Sequence, residues 1–344
     1  MPEAAITGFN ASLSDGGGAS VGWNGQVVGA CDTLQFAATT WPQDFTDIQQ
    51  IVCFLRGTRI AVPGGERPVE CLRVGDLVRL AEPAAAPHRI KWIGRRSYSA
   101  DAVARHRTVH PVIIHQGALA AGVPCRDLAV SPMHAVNIGG VFYPAIALLN
   151  GISITRSAPD STIDYFHIEL DTHETILAEG APVESYRDDG CRFLFDNADS
   201  YFDWHGGAVP PAPEAHWRVD GGTLLNIVRS RLAERAGAQL TKGQPGPLVG
   251  FVERIEHGVL DGWAIDAASP MSSVLLEIVI HGRPAGRTIA NMYRVDLDHH
   301  RIGLGIGGFR FTLPKDEKVS LEAIEVRRIA DGAVLNMIEM GEAE

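Results

Sequence analysis

The 344-residue chain is 45% apolar and 21% charged, the composition of a folded globular protein with room for two or three domains. Its 30 Lys and Arg against 41 Asp and Glu leave a net charge of −11, which repels phosphate backbones and argues against nucleic acid as a partner. The 37 glycines and 20 prolines suit short strands joined by turns better than long helices, so a mainly β protein is expected.

The opening residues, Met1 to Phe9, carry neither a basic n-region nor an apolar h-region, and no apolar run anywhere is long enough to span a bilayer. The expectation is no signal peptide and no membrane span: a cytoplasmic protein, or one exported without a recognisable signal. The cysteines at 31, 53, 71, 125 and 191 are odd in number and lack CxxC spacing. That pattern fits neither a disulfide framework nor a zinc ribbon and predicts at least one free thiol.

Residues 1–52 read as a leader segment in which Gly16-Gly17-Gly18 precedes a short β-type run, Ala19 to Trp23. From Cys53 the pattern becomes a β-meander. Thr58 to Val62 is followed by the turn Pro63-Gly64-Gly65, then Val69 to Leu72, the turn Gly75-Asp76, and Leu77 to Leu80. Further β-type runs at 90–93, 109–114, 127–130, 135–138, 141–143, 164–170 and 174–178 extend this all-β domain over 53–187. Residues 188–249 read as a linker with one helix, because Leu224, Val228 and Leu232 recur every four residues between Pro- and Gly-rich stretches. From 250 to 344, short strands at near-regular spacing, with a turn at His281-Gly282, suggest a small β-sandwich.

The chemistry-bearing residues lie in the first β domain. Cys53 opens it, followed by Gly57-Thr58, Gly64-Gly65, Val69-Glu70 and Val74-Gly75-Asp76. Ser131-Pro-Met-His134 stands mid-domain, and Tyr165-Phe-His167 leads to Asp171-Thr-His173 and Gly180 near its end. These motifs, in this order, resemble the Hint domain shared by Hedgehog autoprocessing domains and inteins, and its bacterial branch in particular. The resemblance implies a Cys53 thiol that attacks the Val52 carbonyl and turns the peptide bond into a thioester. Such a reaction must overcome amide resonance and activate a thiol whose ordinary pKa is ~8.5. Attack geometry alone can supply an effective molarity of about 10⁵ to 10⁸ M. Ser131-x-x-His134 is similar to the family's Thr-x-x-His element, which implies that His134 protonates the leaving nitrogen while Ser131 orients the bond. His167 and His173 fall in the segment resembling the family's late motif, and either is a candidate to assist resolution.

The end of this domain departs from the splicing pattern. Aligned on Gly180, the positions of an intein's His and cyclising Asn hold Glu184 and Ser185, followed by Tyr186. The resemblance therefore implies cleavage at Val52-Cys53 without full splicing. It further implies the chain's own N-terminal segment as the substrate, and water or another external nucleophile as the acceptor. The rival reading is a Hint domain that has lost activity and serves as a scaffold for the C-terminal module.

Other signals are weaker. His106, His110 and His115 are interrupted by Pro111, so a solvated loop is expected and no metal or cofactor. Arg89, Lys91, Arg95 and Arg96 read as a solvated basic face, and Cys71, Cys125 and Cys191 as small core residues. Residues 250–344, with Gly262-Trp263, Asp266, Arg294, Asp296 and Gly308-Phe309, resemble a β module found with bacterial glycosyltransferases. For this module a carbohydrate is the ligand class considered, with Trp263 either a core anchor or a sugar-stacking platform.

Overall fold

The structure, a computed structural model, describes residues 9–13, 19–23, 51–205, 213–237, 244–314 and 319–337. Two compact units divide the chain: 1–111 with 128–134 and 158–216, and 112–127 with 135–157 and 217–344. The leader run Ala19–Trp23 is a strand, paired antiparallel with Phe9–Leu13. The leader residues 24–50 lie outside the described residues.

In the first unit, the strands Leu128–Val130, Phe54–Leu55, Ile163–Glu169 and Trp92–Tyr98 lie side by side in that order, all antiparallel. Ile163–Glu169 is buried at every position but Asp164, because both of its faces are covered, and its apolar residues accordingly do not alternate strictly. A second set runs Ala181–Glu184, Thr175–Ala178, Arg59–Val62, Gly65–Pro68. The turn expected at Pro63-Gly64 joins the last two strands. Glu179 and Gly180 form a two-residue hairpin loop at φ 48° and 75°, the positive-φ pair that matches strand twist.

The core of this unit gathers Cys53, Trp92, Tyr98, Tyr165, Phe195 and Tyr201, among others. The last two come from the stretch read from sequence as linker, so residues 188–205 are packed and carry a second helix, Asp199–His205. Arg192 anchors them: 3% exposed, it stacks 3.4 Å from the Tyr201 ring centroid, and its charge is met by Glu169 and Asp188. Widely spaced aromatics in a polar stretch leave no periodic signal, which is why composition alone suggested a linker.

The second unit begins with two antiparallel pairs, Val112–Ile114 with Ile154–Arg156 and Ala135–Ile138 with Val141–Pro144. These lie inside the stretch expected as one domain, yet they group with the C-terminal residues. Within this unit Arg156 forms a buried ion pair with Asp298, and Arg235 Nε donates to Gly117 O. The expected helix spans Gly222–Arg235, but its buried face is Leu225, Arg229 and Leu232, while Leu224 is half exposed. Arg229 buries its stem and donates from Nη2 to Met271 O at 3.0 Å, which rotates the helix away from the Leu224/Val228 stripe.

The C-terminal residues form the expected sandwich. One sheet runs Met292–Tyr293, Ile306–Thr312, Val259–Asp266, Leu248–Glu256, Asn336–Met337; the other runs Arg283–Ala290, Val274–Ile280, Ile324–Arg328. Val252, Leu260 and Phe309 meet Leu276, Ile278 and Val326 in the core between them. Gly262 is required by packing, since a Cβ there would stand 2.6 Å from the Phe309 ring. Trp263 is 8% exposed and clusters with Ile265 and Leu297, a core anchor and not an open platform. Asp266 pairs with Arg328 and accepts backbone N–H bonds from Gly246, Ala268 and Ser269, while Arg294 grips Glu253 and Asp296. No helix among the described residues is long and apolar enough to cross a membrane.

Candidate active site

Cys53 sits immediately before the short strand Phe54–Leu55 and is fully buried. Phe54 pairs with Val130 on one side and Phe166 on the other, so the next step along each ladder flanks Cys53 with Ser131 and His167. Two motifs far apart in sequence thus meet at one residue through strand register alone.

Ser131 binds the backbone on both sides of Val52. Its Oγ accepts from the Cys53 N–H at 2.7 Å, and its hydroxyl donates to Ile51 O at 2.7 Å. The Ser131 N–H donates to Cys53 O at 2.8 Å. One hydroxyl therefore clamps the Val52-Cys53 bond from a position 2% exposed. The turn that follows is closed by His134 N–H donating to Ser131 O at 3.1 Å, and it places the His134 ring 4.3 Å from that of Phe54.

His134 and His167 are both fully buried, with ring centroids 5.0 Å apart. His167 Nδ1 accepts from the Ile168 N–H at 3.1 Å, so the neutral ring carries its proton on Nε2. Among the described residues Nε2 has no hydrogen-bond partner. Burial, reinforced by His134 and His173, holds the His167 pKa well below the ordinary imidazole value. Burial acts oppositely on Cys53 and pushes its thiol well above the usual range. At neutral pH the site thus holds a neutral imidazole and a protonated thiol, and attack by sulfur requires a local proton acceptor.

The Hint domain family model matches residues 52–190. Those residues form a Hint domain. Among solved structures, a bacterial intein-like domain from Clostridium thermocellum aligns at 14% identity over 40% of this chain and 99% of its own, with a TM-score of 0.30. The MchDnaB-1 intein aligns at 12% identity over 39% and 98%, with a TM-score of 0.27. No curated protein matches the chain.

Within the Hint domain, His173 lies near enough to His167 to act on its charge, and its own ring is tied by other partners. It is 6% exposed, its Nδ1 accepts from the Ala215 N–H at 3.1 Å, and its Nε2 lies 3.9 Å from Glu184 Oε2. Its ring therefore holds the backbone at 215, while the clamp on Val52-Cys53 is made by Ser131. Ser185 is fixed at the base of the hairpin: its N–H donates to Glu174 O at 2.8 Å and its Oγ accepts from the Glu174 N–H at 2.9 Å.

Tyr186 had no role assigned from sequence, yet its ring packs 5.3 Å from His167 and its N–H donates to Ile168 O. Tyr98 stands outside every motif, whereas Tyr165 opens the one that contains His167; both pack in the core cluster that contains Cys53. For Tyr98 the sequence gives no periodic signal, since Trp92–Tyr98 does not alternate strictly. Cys53, Cys71 and Cys125 are free thiols, but Cys71 is exposed and Cys125 half-buried, so neither is the core residue expected. Of the three spaced histidines, His110 donates to Val103 O, and His115 pairs with Asp127. Among the described residues no group of three or more His, Cys, Asp or Glu is placed to hold a metal.

Proposed function

We propose that this Hint domain cleaves its own chain at Val52-Cys53 and releases residues 1–52 without splicing. The observation that carries the reading is the Ser131 hydroxyl, which accepts from the Cys53 N–H and donates to Ile51 O, holding the bond from both sides. Cys53 Sγ attacks the Val52 carbonyl carbon and forms a C–S bond. The thiol proton passes to His134, and His134 returns it to the Cys53 nitrogen as the C–N bond breaks. The product is a thioester between Val52 and Cys53, with a free α-amine on Cys53. Water then attacks the same carbonyl, leaving a carboxylate on Val52 and restoring the thiol. His167, which offers an Nε2–H donor into the buried site, steadies the negative charge on oxygen in these steps.

The complete burial of Cys53 favours a second reading, an inactive scaffold, since a thiol held protonated in an apolar core is inert. Incubation of the purified chain with dithiothreitol separates the two. The proposal expects a fragment whose N-terminus is Cys53, absent from Cys53→Ala. A chain that stays intact after long incubation supports the scaffold.

A further inference from the structure

Of the two residues preceding Cys53, Val52 is half-buried while Ile51 is 3% exposed. The Ile51 side chain joins a cluster with Tyr98, Val103, Val109 and Tyr165, and a small cleft continues past it between Tyr98, Thr108, Val109 and Pro132. The Tyr165 hydroxyl in the cleft wall is engaged, donating to Val109 O at 2.8 Å, so what the wall presents to residue 51 is mainly apolar. The backbone of the same residue is held at its carbonyl by the Ser131 hydroxyl.

We propose that this cleft is a recognition subsite for the residue two before the cleaved bond. It takes a β-branched aliphatic side chain, and Ile51 rather than Val52 sets cleavage specificity. The inference rests on the reading of Val52-Cys53 as the scissile bond. The physical link is that anchor and clamp act in series. A seated residue 51 takes the Ser131 hydroxyl hydrogen at its carbonyl, which turns an Oγ lone pair toward the Cys53 N–H and fixes the backbone on both sides of Val52. Without the apolar anchor at 51, Val52 is half-buried and holds the clamped backbone less firmly, and the attack geometry is populated only part of the time. Val52 contributes its carbonyl to the reaction, and its half-buried side chain contributes less to docking.

The test uses the full chain and follows thiol-induced release of the leader by mass spectrometry, with the thermal unfolding midpoint measured for every variant. Ile51→Val should cleave within about threefold of wild type, since shape is nearly kept, whereas Ile51→Ala should be slower by about tenfold or more. Val52→Ala should stay within about threefold. Ile51→Thr keeps the branched shape but places a hydroxyl in an apolar site, and it should be slowed like Ile51→Ala even if the alanine variant folds poorly. Wild-type cleavage rates in Ile51→Ala and Ile51→Thr, or a Val52→Ala as slow as Ile51→Ala, would overturn the subsite alone. Absence of any fragment beginning at Cys53 from the wild-type chain would overturn both the subsite and the cleavage it serves.

Discussion

Replacing Ser131 by alanine removes one oxygen and two buried hydrogen bonds. The Cys53 N–H loses its acceptor at 2.7 Å and Ile51 O loses its donor at 2.7 Å, at a site where Ser131 itself is 2% exposed. Leaving a buried polar group unsatisfied costs about 1–3 kcal/mol. Relief by small backbone shifts or by an entering water leaves a net loss of about 1–3 kcal/mol for the pair together. If that loss falls on the docked geometry needed for attack, the cleavage rate drops by about 5- to 150-fold. Ser131→Thr keeps the hydroxyl and should retain most of the rate. The assay is thiol-induced release of residues 1–52, with circular dichroism and the unfolding midpoint as controls for fold. A folded Ser131→Ala protein that cleaves at the wild-type rate would refute the clamp.

His134→Gln should leave a folded protein that accumulates uncleaved, because losing a proton-transfer group costs about 10² to 10⁴ in rate without requiring loss of fold; equal rates by mass spectrometry would remove the assignment. His167 predicts a pH dependence of stability. Its folded-state pKa lies well below the ordinary value near 6.5, so as pH falls through that value the unfolded chain binds a proton that the folded chain refuses. Stability should therefore be flat above about pH 7.5 and fall below about pH 6.5, by up to about 1.4 kcal/mol per pH unit from this residue. Urea unfolding of wild type and His167→Gln at pH 7.5 and 5.5 measures it, and an identical drop in both proteins would remove His167 as the cause. Because Ser185 has no side-chain amide to cyclise and is bonded to Glu174 through both its N–H and its Oγ, no product joining residues 1–52 to the chain beyond 185 should form; a mass matching such a joined product would contradict this.

Short-range chemistry makes much of this protein legible from its residues alone. Turn residues with positive φ, such as Gly64 and the His281-Gly282 pair, punctuate strands whose apolar alternation is local information, so the mainly β character and the C-terminal sandwich follow from it. The motifs containing Cys53, Ser131, His134 and His167 are readable too, each being a few residues long. What the residue order does not supply is any relation that depends on separation along the chain. The bridge from Ser131 to Ile51 spans 80 positions, and it arises because Phe54 pairs with Val130, while pairing with Phe166 on the other side brings His167. Hydrogen-bond register brings Ser131 and His167 to Cys53, and His173, which acts on the charge of His167, also accepts from the backbone of Ala215.

The same limit explains the departures at 188–205 and on the helix Gly222–Arg235. Phe195 and Tyr201 are buried because Arg192, held by Glu169 and Asp188, covers the Tyr201 ring, a partnership between distant residues that leaves no trace in periodicity. Arg229 faces inward because the Met271 carbonyl accepts from it there, although its charge marked it for solvent. Sequence by itself determined where thiol, hydroxyl and imidazole groups stand along the chain and which segments become strands, since both depend on side-chain chemistry and nearest neighbours. Tertiary structure decided which reactive groups meet and which protonation state each keeps, because distance and desolvation are set by what the rest of the chain packs around them.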